Sequence, residues 1–482
     1  MKVNNKEFFK LSFLYTVVAA FPPLLNLIIR PLIEGPDKLH AGDFSQIEIA
    51  ETITAFAFVF ATFSMGNAIS RFYYDYIDDK KGYNKLVSSI LNSVLFRGLL
   101  VLTAAYYAQD YIGELFTQDA LRDFSSYGFM AIVVGINRAI NLTAFALFRN
   151  EKKVRLYIGF SILLGLLRTG MQYAGVVYYD MSFIGYVYGS CIGSGIIAIS
   201  ILIYTYSKTG FHFDLKILKP VNKFALPLFE YGIIAWGITF ADRYFLESKA
   251  TALGIYSQAL LLGNGIEIVL QGIRGASQPE IFRLMTNGIT KNMDEIKKLS
   301  HLLMAQSQLI IALAIIPAMI YCLLFKTSLQ LAAGFIAIVF VRYILRSQLI
   351  IFSFPIYYKK RTQFFLYFNL AILIINLLLL YFLVPAIGIY GAITAVMFSQ
   401  FLQVIGTYIY QNKVVLISWN LKKLLFFPLA NILIVVLLEI LKVTFDINLF
   451  ITASLSVLTI IGSLVILYKA ELRKIFLKIG GN

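Results

Sequence analysis

Long apolar stretches are the feature that most limits what this chain can fold into. A helix that crosses a bilayer needs roughly 20 predominantly apolar residues. Counting such stretches gives fourteen, with approximate limits 8–33, 47–70, 86–109, 124–148, 156–178, 183–206, 223–246, 254–274, 300–325, 329–354, 363–384, 388–411, 421–441 and 448–468. A soluble chain of 482 residues with 59% hydrophobic and 14% charged residues could not cover its surface with polar groups. The sequence therefore predicts an all-α integral membrane protein.

The distribution of lysine and arginine indicates how these helices are oriented. When the N-terminus is placed inside, the spans alternate and residues at the span ends are counted with the adjoining connection, 30 of the 42 basic residues fall in inside segments. Six fall in outside connections and six lie within spans. This bias follows the positive-inside rule and predicts an even number of spans with both termini in the cytoplasm. It also accounts for the net charge of +16 without a nucleic-acid partner.

An internal repeat indicates two halves of equal orientation. The tripeptide "FSQ" at 44–46 returns as "YSQ" at 256–258, and an arginine follows the glutamine by 25 residues in both places, at Arg71 and Arg283. Two six-span lobes in parallel orientation would be related by an axis along the membrane normal and would meet around a central cavity. We predict an N-terminal lobe at 1–206 and a cytoplasmic connection at 207–222. A C-terminal lobe at 223–411 follows, then two further spans with a cytoplasmic tail at 412–482.

Charged side chains in the middle of predicted spans point to a function. A charge at mid-span is costly, so such residues are expected to face a partner or a wet cavity. Near mid-span the chain carries five arginines and two glutamates, namely Arg97, Arg138, Arg168, Arg342, Arg346, Glu230 and Glu267. Two carboxylates can neutralise at most two of the guanidinium groups. The arginines left without a carboxylate indicate a cationic interior or an anionic ligand. Alternatively, each arginine could brace helices by donating hydrogen bonds to backbone carbonyl groups.

Other polar and small residues in the spans favour structural roles. Asp242, Arg243 and Glu439 lie near predicted outer ends, where side chains that reach toward the interface are expected. Gly189 and Gly193 are four residues apart and predict a face for close helix packing.

Several kinds of chemistry have no counterpart in the sequence. The chain lacks a G-x-x-x-x-G-K-[ST] stretch, so no ATPase site is predicted. Its two cysteines lie in apolar stretches and its three histidines lie far apart, which predicts neither a disulfide nor a metal site. No catalytic residues are predicted, because no large polar connection is long enough to hold an enzyme centre.

Three stretches carry a resemblance to a known family: "GNAISRFYYDY" at 66–76, "FADRYFLESKATALGIYS" at 240–257 and "PEIFR" at 279–283. With them the whole chain resembles the polysaccharide transporters, which are the O-antigen and exopolysaccharide flippases of the multidrug/oligosaccharidyl-lipid/polysaccharide (MOP) superfamily. The resemblance implies a MATE/MOP-like fold with two pseudo-symmetric six-helix lobes and two C-terminal helices, which agrees with the repeat.

The resemblance also implies a function. It implies a flippase, not an enzyme, which moves an undecaprenyl-pyrophosphate-linked oligosaccharide across the bacterial inner membrane by alternating access, coupled to an ion gradient. The residues expected to bind the pyrophosphate are Arg97, Arg138, Arg168, Arg342 and Arg346. Arg71, Arg274 and Arg283 are candidates for a cytoplasmic access site, or are simply positive-inside residues. Glu230 and Glu267 are candidates for coupling to H⁺ or Na⁺, or for structural salt bridges.

Other functions stay open at this point. A flippase for a peptidoglycan lipid precursor would also have fourteen spans and a cationic cavity. A drug or cation antiporter of the same superfamily would need an acidic or neutral cavity, against which the arginines argue. A membrane polymerase or ligase for polysaccharide would carry a large outer connection, whereas those here are short. No cofactor is expected. The expected partners are the lipid-linked substrate, the membrane, and proteins of polysaccharide polymerisation or export.

Overall fold

The computed structural model describes residue 18, residues 21–76 and residues 78–469. Within this part the chain is helical and contains no β-strand beyond an isolated bridge between Glu34 and Leu39. The first nine helices are α1 Phe21–Ile33, α2 Ala41–Thr62, α3 Met65–Phe72, α4 Lys80–Glu114, α5 Asp119–Arg122, α6 Phe124–Asn150, α7 Val154–Tyr173, α8 Ser182–Thr209 and α9 Leu215–Leu246. They are followed by α10 Ala250–Thr286, α11 Met293–Cys322, α12 Ile336–Val341, α13 Tyr343–Tyr358, α14 Gln363–Ile387, α15 Ile389–Val414, α16 Phe427–Phe445 and α17 Leu449–Leu467.

The prediction of an all-helical membrane protein is confirmed. Thirteen helical segments in the described residues are long and apolar enough to cross a bilayer, and each corresponds to one of the predicted spans. The remaining predicted span, the first, is represented by the shorter apolar helix α1. The start of that span and most of the basic C-terminal tail lie outside the described residues.

The chain divides into two compact units, residues 1–254 and residues 255–482. The predicted seventh span, α9, packs within the first unit against α2, α3 and α4. Its N-terminus is capped by Asp214, whose carboxylate accepts hydrogen bonds from the backbone of Lys216 and Ile217. Capping residues of this kind satisfy donors that the first helical turn leaves unpaired. The prediction of lobes at 1–206 and 223–411 stays a prediction.

The end of α9 is fastened to the connection between α4 and α5. The buried carboxylate of Glu247 accepts hydrogen bonds from the backbone of Thr117 and Gln118, at 3.0 Å and 2.8 Å, and from the Thr117 hydroxyl at 2.7 Å. The Gln118 side chain donates in turn to the Glu247 carbonyl at 2.8 Å. A carboxylate satisfied by several donors in this way forms strong, charge-assisted hydrogen bonds. This contact holds the ends of two distant segments of the first unit together.

Helices α7 and α8 approach each other through glycine. A Cβ atom added at Gly193 would lie 2.5 Å from the Arg168 Cα atom, and one at Gly189 would lie 2.3 Å from the Met171 carbonyl oxygen. Because those neighbours are backbone atoms, they cannot move aside as a side chain can. The predicted packing face at these two glycines is confirmed.

Buried amides join the helices of the second unit. Between α14 and α15 the Gln403 side chain donates to Asn369 at 3.0 Å, and Ser399 donates to Asn376 at 3.1 Å. The Asn431 amide of α16 donates to Gln308 of α11 and to Ser463 of α17, each at 2.8 Å. In hydrocarbon, such side-chain hydrogen bonds between helices take over part of the role of apolar packing.

Two predicted spans are interrupted. Span two breaks between α2 and α3, where Phe63 and Ser64 adopt the left-handed backbone conformation with φ of 44° and 56°. Span ten is divided at Arg342, which joins α12 to α13 with an ordinary φ of −59°. Non-glycine residues in the left-handed region are uncommon, and such conformations often occur at functional sites. Neither break contains proline or glycine, so neither could be predicted from the sequence.

Candidate functional site

Four arginines from four different helices contact α2 and its C-terminal residue Phe63, one after another. Arg243 of α9 contacts Glu48, Arg168 of α7 contacts Glu51, Arg138 of α6 lies over Phe58 and Arg97 of α4 lies over Phe63. We call these four arginines the arginine row. Fifteen residues separate its first and last contacts, which corresponds to about 22 Å along a helix. The row therefore extends along much of the thickness of a bilayer core.

Carboxylates neutralise one end of the row. The Arg243 Nε atom lies 2.8 Å from Glu48, and its Nη1 atom lies 2.9 Å from Asp242. The Arg168 guanidinium forms a short ion pair with Glu51. Asp242 and Arg243 are only 2% and 5% exposed. The expectation that they reach toward the interface is wrong, because α9 packs against α2 and brings Glu48 opposite them.

The other end of the row keeps its positive charge. Arg138 is an exposed residue, and its guanidinium lies 4.9 Å from the centre of the Phe58 ring. Arg97 lies 4.3 Å from the Phe63 ring centre and donates to Asn222 at 2.6 Å and to Ser93 at 3.1 Å. Among the described residues neither arginine forms a salt bridge. Aromatic rings attract cations without neutralising them, so this end of the row can accept an anion.

Aromatic side chains flank the charged end of the row, where α2 and Phe63 meet α9. The Trp236 ring centre lies 5.0 Å from that of Phe56, and its indole donates to the Thr52 carbonyl at 3.2 Å. Phe229 contacts Phe60 and Phe63, with ring centres 5.2 Å and 4.3 Å apart. We call these rings, Phe56, Phe60, Phe63, Phe229 and Trp236, the aromatic cluster. Phe63 belongs both to this cluster and to the helix break.

The remaining two predicted arginines lie in the second unit. Arg346 of α13 forms a salt bridge of 3.1 Å with Glu267 of α10, which also accepts a hydrogen bond from Gln271 at 3.2 Å. Arg342 is buried, and its guanidinium lies 5.1 Å from the centre of the Tyr343 ring. The five predicted ligands are thus divided between the units, with Arg97, Arg138 and Arg168 together in the first. Whether any of them binds substrate stays a prediction.

The three arginines predicted at a cytoplasmic access site have local partners. Arg71 pairs with Asp75 at 2.9 Å and Arg283 pairs with Glu280 at 2.5 Å, each within one helical turn. Arg274 donates to Gln278 at 3.3 Å and lies 5.4 Å from the Tyr357 ring centre. Exposed pairs of this kind contribute little to stability. They fit the alternative that these residues are ordinary positive-inside charges.

The glutamates differ from expectation. Glu267 makes the predicted type of salt bridge, whereas Glu230 is exposed and forms no ion pair in the described part of the chain. Besides Asp242, the acids that neutralise the arginine row are Glu48 and Glu51, neither of which was predicted from the sequence. The apolar stretch begins near Ile47, which places them at its edge, but α2 begins at Ala41 and carries them inside the helix. Their spacing of three residues, on one helix face, was the available signal.

Glu439 is also more buried than expected. Its carboxylate forms a short ion pair with Lys442 and accepts a hydrogen bond from the Tyr390 hydroxyl at 2.9 Å. The expectation that it reaches toward the interface is wrong, since α15 supplies a partner inside the second unit.

Known proteins resemble this chain in structure but not detectably in sequence. No protein-family profile and no curated protein matches the sequence. The structure resembles the lipid II flippase MurJ in an inward closed conformation, with a TM-score of 0.70 and 13% identity over 95% of this chain and 100% of that one. It also resembles an inward-facing multidrug resistance MATE transporter, with a TM-score of 0.65 and 12% identity over 83% of this chain and 97% of that one.

This chain has a MATE/MurJ-like fold. A MOP superfamily transporter from Pyrococcus furiosus, described for the reverse polarity of its binding pocket, matches as well, with a TM-score of 0.59 and 15% identity over 84% of this chain and 94% of that one. This fold agrees with a multi-pass membrane protein. At 12–15% sequence identity these similarities concern the fold alone, and the arginine row is the feature of this chain that bears on its function.

Proposed function

We propose that this protein is a flippase for an undecaprenyl-pyrophosphate-linked oligosaccharide, such as an O-antigen or another surface-polysaccharide repeat unit. The observation that carries the proposal is the charged end of the arginine row, where Arg97 and Arg138 form no salt bridge among the described residues and lie beside the aromatic cluster. The coarser conclusion, a carrier with the MOP fold, is supported by the structural comparisons.

The chemistry of this site suits both the pyrophosphate and the sugars of such a substrate. A guanidinium group stays protonated and can bond two phosphate oxygens at once through its planar fork. Aromatic faces offer flat apolar surfaces on which the C–H groups of sugar rings can lie, and the aromatic cluster is within the same part of the first unit as Arg97. A polyprenyl tail needs no binding group of its own, because it can stay in the lipid.

The order of charges along α2 suggests how the headgroup moves. The positive-inside prediction places the charged end of the row, with Arg97, nearer the cytoplasm. A pyrophosphate arriving there would meet Arg97 and Arg138 first. Further along α2 it would meet Arg168, which would exchange Glu51 for the ligand. The carboxylates at the far end would then oppose the anion and favour its release on the outer side.

The break in span two supports the same location. Discontinuous helices commonly form the binding sites of secondary transporters, because a half-helix presents its positive N-terminus at depth in the membrane. Here α3 begins directly after Phe63 and Ser64, and Arg97 lies over the Phe63 ring. The helix terminus and the guanidinium group therefore add positive charge at one position.

A peptidoglycan lipid precursor is the second candidate substrate. The similarity to the lipid II flippase covers 95% of this chain, whereas the similarity to the MATE transporters covers about 83–84%. Lipid II flipping would use the same contacts, since that substrate also joins sugars to a polyprenyl pyrophosphate. An export function for cationic drugs is disfavoured by the positive charge of Arg97 and Arg138.

The remaining parts of the proposal concern energy and location. Alternating access would be coupled to H⁺ or Na⁺, with Glu230 the better candidate because its carboxylate is exposed and forms no ion pair among the described residues. Glu267 would have to leave Arg346 before it could bind a proton. We place the protein in the bacterial inner membrane, with both termini cytoplasmic, beside the proteins of polysaccharide polymerisation and export.

The test begins with cells that lack the gene. If the proposal holds, lipid-linked repeat units accumulate in the cytoplasmic leaflet and surface polysaccharide is lost. Repeat units that reach the outer leaflet but stay unpolymerised would instead indicate a polymerase. Accumulation of the peptidoglycan precursor alone would select the second candidate. Normal polysaccharide with altered sensitivity to cationic compounds would indicate a drug antiporter.

Variants then test the site. Arg138→Gln is expected to fail to restore polysaccharide, while Arg138→Lys, which keeps the charge but loses the fork, restores it in part. Arg155→Gln is the matched control, since it removes one positive charge from an exposed residue in the first turn of α7, away from the arginine row. Full activity of Arg138→Gln, with protein levels equal to the control, would overturn the assignment of the site.

A further inference from the structure

A cavity of about 450 Å³ opens at one end of the first unit, where α4 begins and where α6 and α8 end. Its walls include Lys80, Tyr83, Glu151, Lys153, Tyr204 and Lys208. We call it the lysine cavity. No arginine of the row lines it, and along α4 its residue Lys80 precedes Arg97 by 17 residues, or about 25 Å of helix, so the cavity is separate from the arginine row. The positive-inside prediction places this end of the unit at the cytoplasmic surface of the membrane.

The charges in the lysine cavity do not balance. Its one carboxylate, on Glu151, already accepts a hydrogen bond from Tyr83 at 2.5 Å and forms a salt bridge of 2.9 Å with Lys153. Burial alone would lower the pKa of Lys153, but the hydrogen bond and the charge of Glu151 outweigh burial and raise it. Lys153 is therefore charged at neutral pH.

Two further ammonium groups have no acid opposite them. In the described residues neither Lys80 nor Lys208 forms a salt bridge, and the Lys208 ammonium lies 4.6 Å from the centre of the Tyr204 ring. Both lysines are exposed at the mouth of the cavity, one at the start of α4 and the other near the end of α8. The cavity thus carries an excess positive charge that its own residues leave without a counter-ion.

The inner wall offers a further unused polar group. The hydroxyl of Thr205 is buried in the wall and has no hydrogen-bond partner within the described chain. Buried hydroxyl groups usually have a partner, and one without a partner calls for an explanation. Beside it, Phe148 and Tyr204 form an aromatic wall with ring centres 6.0 Å apart. A ligand in this cavity would meet positive charge at the mouth and a hydroxyl and aromatic rings further in.

We propose that the lysine cavity binds a phosphate-bearing anion, held by Lys80 and Lys208. Ammonium groups are common phosphate ligands. Its volume lies in the range of small-ligand sites. Basic pockets between spanning helices on the cytoplasmic side are suited to phosphate headgroups of anionic lipids. The same chemistry would accept a soluble phosphate compound. A bound anion would bridge the first turn of α4 to the last turn of α8, and would thereby stabilise the first unit.

The experiment measures binding to the full-length purified protein and does not involve transport. Thermal unfolding is followed in detergent with inorganic phosphate or pyrophosphate, against chloride at equal ionic strength. It is then followed in nanodiscs of phosphatidylcholine, with and without phosphatidylglycerol. The test variant is Lys80→Gln/Lys208→Gln. The matched control is Lys216→Gln/Lys219→Gln, which removes the same charge from exposed residues in the first turns of α9.

The wild type and the control are expected to be stabilised by one of the two probes, and the test variant is expected to bind it about tenfold or more weakly. Stabilisation by soluble phosphate identifies a soluble ligand, and stabilisation by phosphatidylglycerol alone identifies a lipid headgroup. The proposal is overturned if neither probe stabilises the wild type, or if test and control variants lose binding equally. Because transport is not measured, failure here leaves the proposed flippase function untouched, and the reverse also holds.

Discussion

Arg138 and Arg346 occupy similar places in the two halves of the sequence repeat, yet their surroundings differ. Arg138 precedes Lys152 by 14 residues and Arg346 precedes Lys359 by 13. In the second unit, Glu267 neutralises Arg346. In the first unit, Arg138 is exposed, lies over the Phe58 ring and forms no salt bridge in the part of the chain that the structure describes. A repeated arginine therefore does not imply a repeated binding site, because the charge available to an anion depends on the partner that each unit supplies.

The two units also differ in how their helices are joined. The first unit combines glycine contacts between α7 and α8 with ion pairs to α2, as in Glu51 with Arg168. The second unit has such an ion pair between helices, Arg346 with Glu267, and also uses neutral amides, such as Asn431 with Gln308. Ion pairs respond to a charged ligand and amides do not. An anionic substrate that binds along α2 would therefore change more of the contacts described in the first unit than of those in the second.

Glu51→Ala is expected to have the largest effect on stability. It leaves the partly buried Arg168 guanidinium without its carboxylate, and breaking a buried ion pair costs about 3 kcal/mol of unfolding free energy. The counterpart Glu267→Ala should cost about 1 kcal/mol or less, because the Arg346 side chain is 39% exposed to solvent. Thermal or denaturant unfolding in one detergent measures both. Equal losses in the two variants would remove the electrostatic difference between the units.

Gly193→Ala should have the second-largest effect. It is expected to reduce the unfolding free energy by about 1–3 kcal/mol, because overpacking forces α7 and α8 apart. The matched control is Gly170→Ala on α7, because a Cβ atom there meets nothing within 4 Å. The unfolding free energy of that control should be unchanged or higher by up to about 1 kcal/mol, because alanine loses less backbone entropy than glycine when the helix forms. Unfolding midpoints of the two variants decide the matter. A harmless Gly193→Ala would show that the contact of α8 with α7 is looser than described.

Asn431→Ala tests the amide contacts of the second unit. It should reduce the unfolding free energy by about 1 kcal/mol, the usual size of a hydrogen bond between helices in a membrane. Replacing both partners, as in Gln308→Leu/Asn431→Leu, should recover part of the loss, since no buried polar group is then left without a partner. Neither effect should change with salt concentration. A strong salt dependence would contradict the neutral character of this contact.

Ser64→Gly should have the smallest effect, and it should be stabilising. Glycine adopts the left-handed conformation of Ser64 without strain, which is worth about 0.5–1 kcal/mol. The control Ser70→Gly lies within α3 and should instead lose about 0.5 kcal/mol through poorer helix propensity. Span ten has no equivalent, because Arg342 is not left-handed. If Ser64→Gly lowers the unfolding midpoint, the break in span two is not a source of strain.

The sequence predicted the spans and the arginines well, because hydropathy and charge are local properties of the chain. It did not identify the acids that face Arg243 and Arg168 in the first unit. Which carboxylate faces Arg168 depends on how α7 packs against α2, and Glu51 gave only the weak signal of its spacing from Glu48. It also did not find the break at Phe63 and Ser64, since neither residue is a helix breaker by composition. Tertiary packing determines both features, and a single sequence carries little information about packing.

The contact between Glu247 and the turn at Thr117 and Gln118 has a consequence for how the protein is made. A chain that leaves the ribosome residue by residue presents Thr117 and Gln118 to the membrane long before Glu247 exists. Until α9 has been inserted, the backbone donors of that turn have no carboxylate to bind, and Glu48 has no arginine from α9. The first half of the protein therefore completes its packing only after the seventh span has been synthesised. A nascent chain halted near residue 206 would lack these contacts and would be open to membrane proteases.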